Sequence, residues 1–426
     1  MNNIPPDPQV PAPPVAAPPP PPPLPAVKPS SFRTFLAACL SLCLGLFLAA
    51  GAISLVDDSL VLMCGQQVLT LASGLVTCLS FFVLLVVYVL MGLTPIVPRR
   101  VFLPIFALVG LGLAAVFPVM IYGYNQLVRF DWLLSLLQVL LVSVIWRRLL
   151  GGGPFRWFVI EARHLGNPRF SWSHLAVFLL VNLLVLAPVV AGYVAVCTSV
   201  AVSHFTDGFL RLRPSGLILQ SRKYARDDGK TVVLFPMSHI ADAGFYQAMS
   251  HSVASNSVVL LEGVTDSQHL LTNKLSYKRA AKSLGLAEQH EDLSFDQGEL
   301  IRADVDVQEF STNTIAFMNL VTLVHTRGLN ADTLPLLMNC SLTPEAEQQL
   351  FTDLLVKRNE HLLKELRARL PESDHFVIPW GAAHMPELAE TLQKLGFHLV
   401  ETHDYIGIRF GVRSRTGKSD AGRAIK

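Results

Sequence analysis

Long apolar runs in the first half of the chain constrain its fold more than any other feature. Each is near or above the ~20 residues that a helix needs to cross the hydrocarbon core of a bilayer. Charges are nearly absent inside them, as expected when one charge at a helix centre costs ~2.5–3.5 kcal/mol on insertion scales. The sequence therefore predicts about five transmembrane helices, near residues 34–56, 67–95, 101–123, 132–150 and 174–200.

The composition agrees with a membrane protein and restricts its partners. Of the residues, 51% are hydrophobic and 15% are charged, and the formal net charge of +2 is too small to predict nucleic-acid binding. Membrane lipid is the partner that this composition predicts. The predicted organisation is a Pro/Ala-rich disordered tail (1–32), a transmembrane helical region (33–203), an α/β domain (204–412) and a disordered basic tail (413–426).

Charges in the predicted loops give the orientation. Positive residues precede the first apolar run, join the second to the third and join the fourth to the fifth: Lys28, Arg33, Arg99, Arg100, Arg147, Arg148, Arg156, Arg163 and Arg169. The alternate loops hold Asp57 and Asp58 in one case, and Arg129 with Asp131 in the other. Positive residues stay on the cytoplasmic side, so we expect a cytoplasmic N-terminus and an extracytoplasmic (periplasmic) C-terminal domain. If residues 59–95 crossed twice, the domain would be on the cytoplasmic side.

The C-terminal part alternates short strand patterns with amphipathic helix patterns. Strands are predicted at Thr231–Phe235, Ser257–Leu261, Phe376–Pro379 and His398–Glu401. Helices are predicted near Ala241–Ser252, Tyr277–Leu284, Thr314–Thr326, Pro344–Leu370 and Pro386–Leu395. This alternation predicts an α/β domain with a central sheet.

Three polar residues each follow the end of a predicted buried strand. They are His239, after the strand that begins at Thr231, Glu262, after Leu261, and His384, after the strand that begins at Phe376. Strand ends are a common place for α/β folds to present ligands, and neighbouring strands would bring the two histidines together. Two imidazoles and a carboxylate suit a catalytic divalent metal. A structural histidine is the commoner outcome, and the spacing alone leaves that reading open.

Several short motifs, in order along the chain, then point to a family. They are Leu260-Leu261-Glu262-Gly263-Val264, Ala303-Asp304-Val305-Asp306-Val307, Lys357-Arg358-Asn359 and Gly381-Ala382-Ala383-His384. With these motifs the domain resembles the TraB/PrgY/GumN family, which includes the animal TIKI metalloproteases and is distantly similar to ChaN- and erythromycin-esterase-like folds. Where the family has its first motif, Gly-x-x-His, this chain has Pro236-Met237-Ser238-His239, with proline in place of glycine. Proline fixes φ and removes an amide donor, so this loop cannot adopt a glycine-only conformation.

The resemblance implies a divalent-metal-dependent hydrolase that acts on peptides; the sequence does not identify the ion, for which Mn, Co and Zn are the candidates. It implies that His239, Glu262 and His384 are metal ligands, with Glu262 also serving as a catalytic base. Arg358 would be the cation that stabilises an oxyanion or anchors substrate, and Asp306 would orient an imidazole. The alternative is a non-catalytic, membrane-tethered protein that binds a peptide or small ligand in the same fold. The sequence gives neither the substrate nor the oligomeric state.

Overall fold

The structure, a computed structural model, describes residues 30–166, 170–272, 276–339 and 343–411. The chain forms two compact units, Met1–Val185 and Leu186–Lys426. The predicted proline-rich and basic tails lie almost entirely outside the described residues, and the predicted domain bounds stay predictions.

Within the described residues, five helices are long and apolar enough to cross a membrane. This confirms the predicted number of apolar spans. The helices are α1 (Ser31–Cys64), α2 (Thr70–Leu93), α3 (Arg99–Tyr122), α4 (Leu127–Leu150), and α5 (Trp172–Val181) continuing through a π-helical turn, Asn182–Leu186, into α6 (Ala187–Phe205).

The break between the first two spans differs from the prediction. Residues 59–95 do not form two separate spans, because those up to Cys64 belong to α1, which ends at Gly65 with a left-handed φ of 67°, and α2 is the one further helix in this stretch. Asp57 and Asp58 were predicted in a loop and instead lie in α1, while Asp131 lies in α4. Hydropathy detects the apolar run and not the helix, so a helix that extends past the run is missed.

The second unit is built on a mixed sheet. Its strands are β1 (Leu210–Arg213), β2 (Gly216–Ala225), β3 (Thr231–Met237), β4 (Ile240–Ala241), β5 (Val258–Leu261), β6 (Ala287–Glu288), β7 (Glu299–Arg302), β8 (His375–Gly381) and β9 (His398–Arg409). In the described part of the chain seven strands form one sheet in the order β1-β2-β3-β8-β5-β7, with β9 also paired to β2, and β4 pairs with β6 separately. This confirms an α/β domain with a central sheet.

Helices cover the sheet and connect its strands. They are α7 (Ala243–His251), α8 (Lys278–Leu284), α9 (Gln289–Asp292), α10 (Thr312–Arg327), α11 (Thr333–Asn339), α12 (Pro344–Phe351), α13 (Lys357–Arg369) and α14 (Met385–Lys394). Leu362 and Leu366 of α13 and Leu388 of α14 are fully buried in one core with Ile378 and Trp380 of β8. Burial of such side chains contributes ~1.5–3 kcal/mol each. The core therefore fixes α13 and α14 against the centre of the sheet.

The parallel strands set the position of the candidate site. β8 pairs in parallel with β3 on one side and with β5 on the other, and β5 pairs in parallel with β7. The two histidine motifs therefore follow neighbouring strands, which is the condition that the sequence left open. Because parallel strands end at the same edge, all four strands have their carboxyl ends at one edge of the sheet.

Candidate functional site

Three of the predicted site residues come together at this edge. The Nη2 atom of Arg358 lies 2.8 Å from Oε1 of Glu262, and its Nη1 atom lies 3.3 Å from Nε2 of His384. Glu262 and His384 are themselves close, with 3.7 Å between Oε1 and Nε2. Glu262 follows β5, His384 precedes α14 and Arg358 lies in the first turn of α13. The cluster thus joins the sheet edge to both covering helices.

A second carboxylate, Asp304, completes the coordination of the arginine. Its side chain is fully buried and accepts two hydrogen bonds from Arg358, at 2.9 Å from Nε and 2.6 Å from Nη2. The backbone amides of Gly263 and Val305 donate to the same carboxylate, each at 2.9 Å. Burial opposes the charged guanidinium, but hydrogen bonds and attraction from Asp304 and Glu262 prevail and raise the pKa of Arg358.

His384 is held in one orientation by the residue next to the arginine. Its Nδ1 atom lies 2.7 Å from Oδ1 of Asn359, whose Nδ2 atom donates to Glu387 Oε2 at 2.5 Å. This arrangement assigns the proton to Nδ1, so Nε2 is an acceptor facing Arg358. Burial, followed by repulsion from the Arg358 cation, lowers the pKa of His384 to about 4. The imidazole is therefore neutral at pH 7.

Backbone and ring contacts complete the cluster. The amide of Gly381 donates to Oε2 of Glu262 at 2.6 Å, and Nε1 of Trp380 donates to the Leu260 carbonyl at 3.0 Å. The Trp380 ring lies under the Arg358 guanidinium, 5.4 Å from its centroid, and meets the His384 ring edge to face at 5.2 Å. These contacts fix the carboxylate, the guanidinium and the imidazole relative to β8.

His239 lies in a different environment. Its side chain is exposed and its ring stacks on Tyr277, with 4.9 Å between centroids and 9° between planes. Its carbonyl accepts a hydrogen bond from Gln289 at 3.0 Å. Although β3 and β8 are neighbours, these contacts place His239 beside Tyr277 and Gln289 and not with Glu262 and His384.

Asp306 also has a local role. It accepts hydrogen bonds from Thr265 Oγ1 at 2.8 Å and from the amides of Gln308 and Ser267 at 3.0 and 3.1 Å. The amide of Gln308, followed by the donors of Ser267 and Thr265, lowers the pKa of Asp306 to about 2. The acid that contacts Arg358 is thus Asp304, two residues earlier, while Asp306 closes a turn.

The predicted metal ligands would have to converge on one ion. In residues 30–166, 170–272, 276–339 and 343–411 no group of three or more His, Cys, Asp or Glu side chains is arranged to hold an ion. Glu262 and His384 supply two of the predicted donors, and Arg358 lies against both. His239, Glu262 and His384 therefore do not form one ligand set in this structure, and the divalent metal stays a prediction.

Sequence reasoning did not identify Asp304, Asn359 or Glu387 as members of the site. Two of them lie in motifs in which a neighbouring residue was given the role instead. Asp304 lies two residues before Asp306, and Asn359 directly follows Arg358. The missing signal was the end of β7 at Arg302, which places Asp304 just beyond a strand end, as Glu262 is beyond β5.

Comparison of the chain with models of protein families, with curated proteins and with solved structures found no match.

Proposed function

We propose that this chain is a membrane-anchored hydrolase of the peptidase type, with its active site at the cluster of Glu262, Arg358 and His384. The observation that carries the proposal is the state of His384. Asn359 holds its Nδ1–H at 2.7 Å, and its Nε2 lone pair faces Glu262 and Arg358. A neutral imidazole whose orientation is fixed by an amide is a suitable proton acceptor for a hydrolytic water.

The neighbouring charges suit the later stages of such a reaction. Once His384 accepts a proton, the Glu262 carboxylate at 3.7 Å attracts the imidazolium and offsets part of the burial and of the Arg358 repulsion that lower the pKa of His384. The Nη1 atom of Arg358 makes the longest contacts of that guanidinium, 3.3 Å to His384 and 3.5 Å to the Leu354 carbonyl. It is therefore the donor best able to turn toward an oxyanion. Peptides as substrates follow from the family resemblance alone.

A divalent ion is part of the proposal because the resemblance implies one. Two carboxylates, Glu262 and Asp304, surround the single cation of Arg358, so the formal charge of the three groups favours a further cation. A bound ion would lower the pKa of a water toward 7. Glu262 and His384 are the residues of this cluster that would hold it, and a third ligand has to come from outside the cluster.

The membrane side is proposed from charge distribution. A cytoplasmic N-terminus and five crossings put the C-terminal domain outside the cytoplasm. A reporter active only in the periplasm, fused after residue 411, should be active, and the same reporter fused at residue 160 should be inactive. A cytoplasm-only reporter that is active at residue 411 would contradict this orientation.

The hydrolase proposal is tested with the full chain in detergent, incubated with a mixed peptide library and analysed by mass spectrometry with and without added Mn²⁺, Co²⁺ or Zn²⁺. We expect cleavage products from the native chain and at least about 100-fold slower cleavage by His384→Gln. Arg367→Ala, an exposed change on the same helix, is the matched control and should keep the native rate. Equal cleavage by His384→Gln and the control would reject this active site.

A non-catalytic binding protein is the second candidate, and a specific observation favours it. Each guanidinium nitrogen of Arg358 already contacts a protein acceptor. Networks of this kind also hold helices to sheets without any chemistry. Peptide binding by the native chain, abolished in His384→Gln but never accompanied by cleavage, would favour this function.

A further inference from the structure

The arginines of the helical unit gather at one end of it. Arg33, at the start of α1, donates to the carbonyls of Ala162 and Leu165 at 2.9 Å each. The amide of Gly166 donates to the Ile96 carbonyl in the α2–α3 link, at 3.0 Å. Three chain segments that are far apart in sequence therefore meet, and we call this the basic end.

The opposite end has the opposite charge. Asp57 accepts a hydrogen bond from the Leu69 amide at 3.0 Å, and Trp132 Nε1 donates to Ser59 at 2.9 Å, which joins α1, α2 and α4 there. Among the described residues this end holds three acids and one arginine: Asp57, Asp58, Asp131 and Arg129. The basic end holds seven arginines and one acid: Arg33, Arg99, Arg100, Arg147, Arg148, Arg156, Arg163 and Glu161.

Exposed aromatic rings accompany these arginines. Phe155 stacks on the buried Trp146 at 5.7 Å and meets Trp157 edge to face at 5.3 Å. Trp157 and Trp172 are 73% and 77% exposed. Tryptophan rings are enriched at the headgroup level of bilayers, because one part is apolar and the other hydrogen-bonds. The basic end therefore has the composition of a surface that contacts lipid headgroups.

A cavity opens at the basic end. Its volume is about 960 Å³, within the size range of ligand pockets. Its lining includes apolar side chains (Ala37, Ala38, Phe158 and Ile160), two arginines (Arg33 and Arg163) and one acid (Glu161). The side chain of Arg163 is 71% exposed, so it remains accessible despite its ion pair with Glu161 at 2.9 Å.

We propose that this cavity binds one anionic phospholipid, with an acyl chain against the apolar residues and the phosphate near Arg163. Charge complementarity selects the headgroup, since the cavity lining carries two arginines and one glutamate, and the basic end as a whole carries seven arginines and one glutamate. The proline-rich segment is the competing occupant because it ends beside Ser30, which also lines the cavity. Its charged residues, Asp7 and Lys28, balance each other, so it does not supply the anion that the arginines favour.

The test measures lipid retained by the full chain in detergent, by native mass spectrometry, after exchange against phosphatidylglycerol or phosphatidylcholine. We expect preferential retention of phosphatidylglycerol, reduced about fivefold in Arg163→Gln, as removal of one arginine near an anionic lipid predicts. Ala38→Trp, which fills the cavity, should reduce it further. Arg129→Gln, at the opposite end, is the matched control and should retain lipid like the native chain.

Three results would overturn the proposal. Equal retention by Arg163→Gln and Arg129→Gln would show that the cavity arginine does not select the lipid. Displacement of phosphatidylglycerol by millimolar inorganic phosphate would identify a free-anion site. Several-fold greater lipid retention after removal of residues 2–29 would identify the proline-rich segment as the occupant of the native cavity.

Discussion

The two histidine motifs of the C-terminal unit follow adjacent parallel strands, yet they place their imidazoles in opposite environments. His384 is 4% exposed and held by Asn359 and Arg358, whereas His239 is exposed and stacked on Tyr277. Similar sequence patterns at the same sheet edge have thus produced one buried, charge-coupled group and one surface group.

The backbone after each strand explains the difference. Met237 of β3 lies opposite Gly381 of β8. His239 comes two residues after Met237, whereas His384 comes three residues after Gly381. After Gly381 the chain turns at once into α14, and His384 forms the cap at its start. After Met237 the chain enters β4, which pairs with β6. The two side chains point to different places because His384 is one residue further from its strand, and because the chain continues into a helix after β8 and into another strand after β3.

Pro236 contributes to this outcome by lying inside β3 rather than in the following loop. β2 pairs with β3 only up to Leu234, so the end of β3 is paired through the β8 side alone. Proline is tolerated where a strand lacks a partner on one side. The first motif therefore ends its strand later than the sequence pattern indicated, since the predicted strand ended at Phe235.

The largest effect should come from removing the cation shared by the His384 cluster. Arg358→Ala leaves the buried Asp304 without its partner, and we expect a loss of about 3–5 kcal/mol in the free energy of unfolding. Denaturant-dependent hydrogen exchange of peptides from α13, β8 and α14, in the full chain, measures it. Arg367→Ala, the exposed control, should change stability by less than about 0.5 kcal/mol. A loss below about 1 kcal/mol in Arg358→Ala would contradict the described network.

A pH dependence should distinguish the two histidines. The pKa of His384 is about 4 in the folded chain against 6.5 ordinarily, so the unfolded chain binds more protons between these values. Stability is then complete above pH 6.5 and falls as the pH decreases to 4, by about 3 kcal/mol in total. The same hydrogen-exchange measurement should show this slope in the native chain and in His239→Ala, and a reduced slope in His384→Gln. An unchanged slope in His384→Gln would assign the titration to another group.

Asn359 should have a smaller effect, which tests how His384 is oriented. Asn359→Ala removes a fully buried amide that joins His384 to Glu387, and we expect a loss of about 2 kcal/mol. ¹⁵N NMR of the His384 ring should show protonated Nδ1 in the native chain and a mixture of tautomers in the variant. Glu387→Gln, which keeps an acceptor for Asn359, is the milder control. A protonated Nε2 in the native chain would reverse the assigned tautomer.

Residue patterns anticipated some of these features and missed others for physical reasons. Apolar periodicity located the spans and the strands β3, β5 and β8, because burial dictates those residues directly. It missed β2, in which polar residues interrupt the buried apolar ones. It also missed the short β7 and most of β9, whose residues are largely exposed. Without the end of β7 at Arg302 the sequence could not indicate that Asp304 contacts Arg358. Strand order decides which strand ends meet, and no local pattern encodes it.

The smallest effect on stability should come from His239, and it decides whether the sequence-predicted metal site exists. An exposed ring stacked on Tyr277 should contribute little, so His239→Ala should change the free energy of unfolding by less than about 0.5 kcal/mol. Metal content by mass spectrometry of the full chain, after loading with Mn²⁺, Co²⁺ or Zn²⁺, gives the second measurement. If an ion bound at the His384 cluster alone, His384→Ala would lose it and His239→Ala would retain it. Equal loss from both variants would mean that His239 leaves Tyr277 to join Glu262 and His384, which would restore the three-ligand site that the two motifs first suggested.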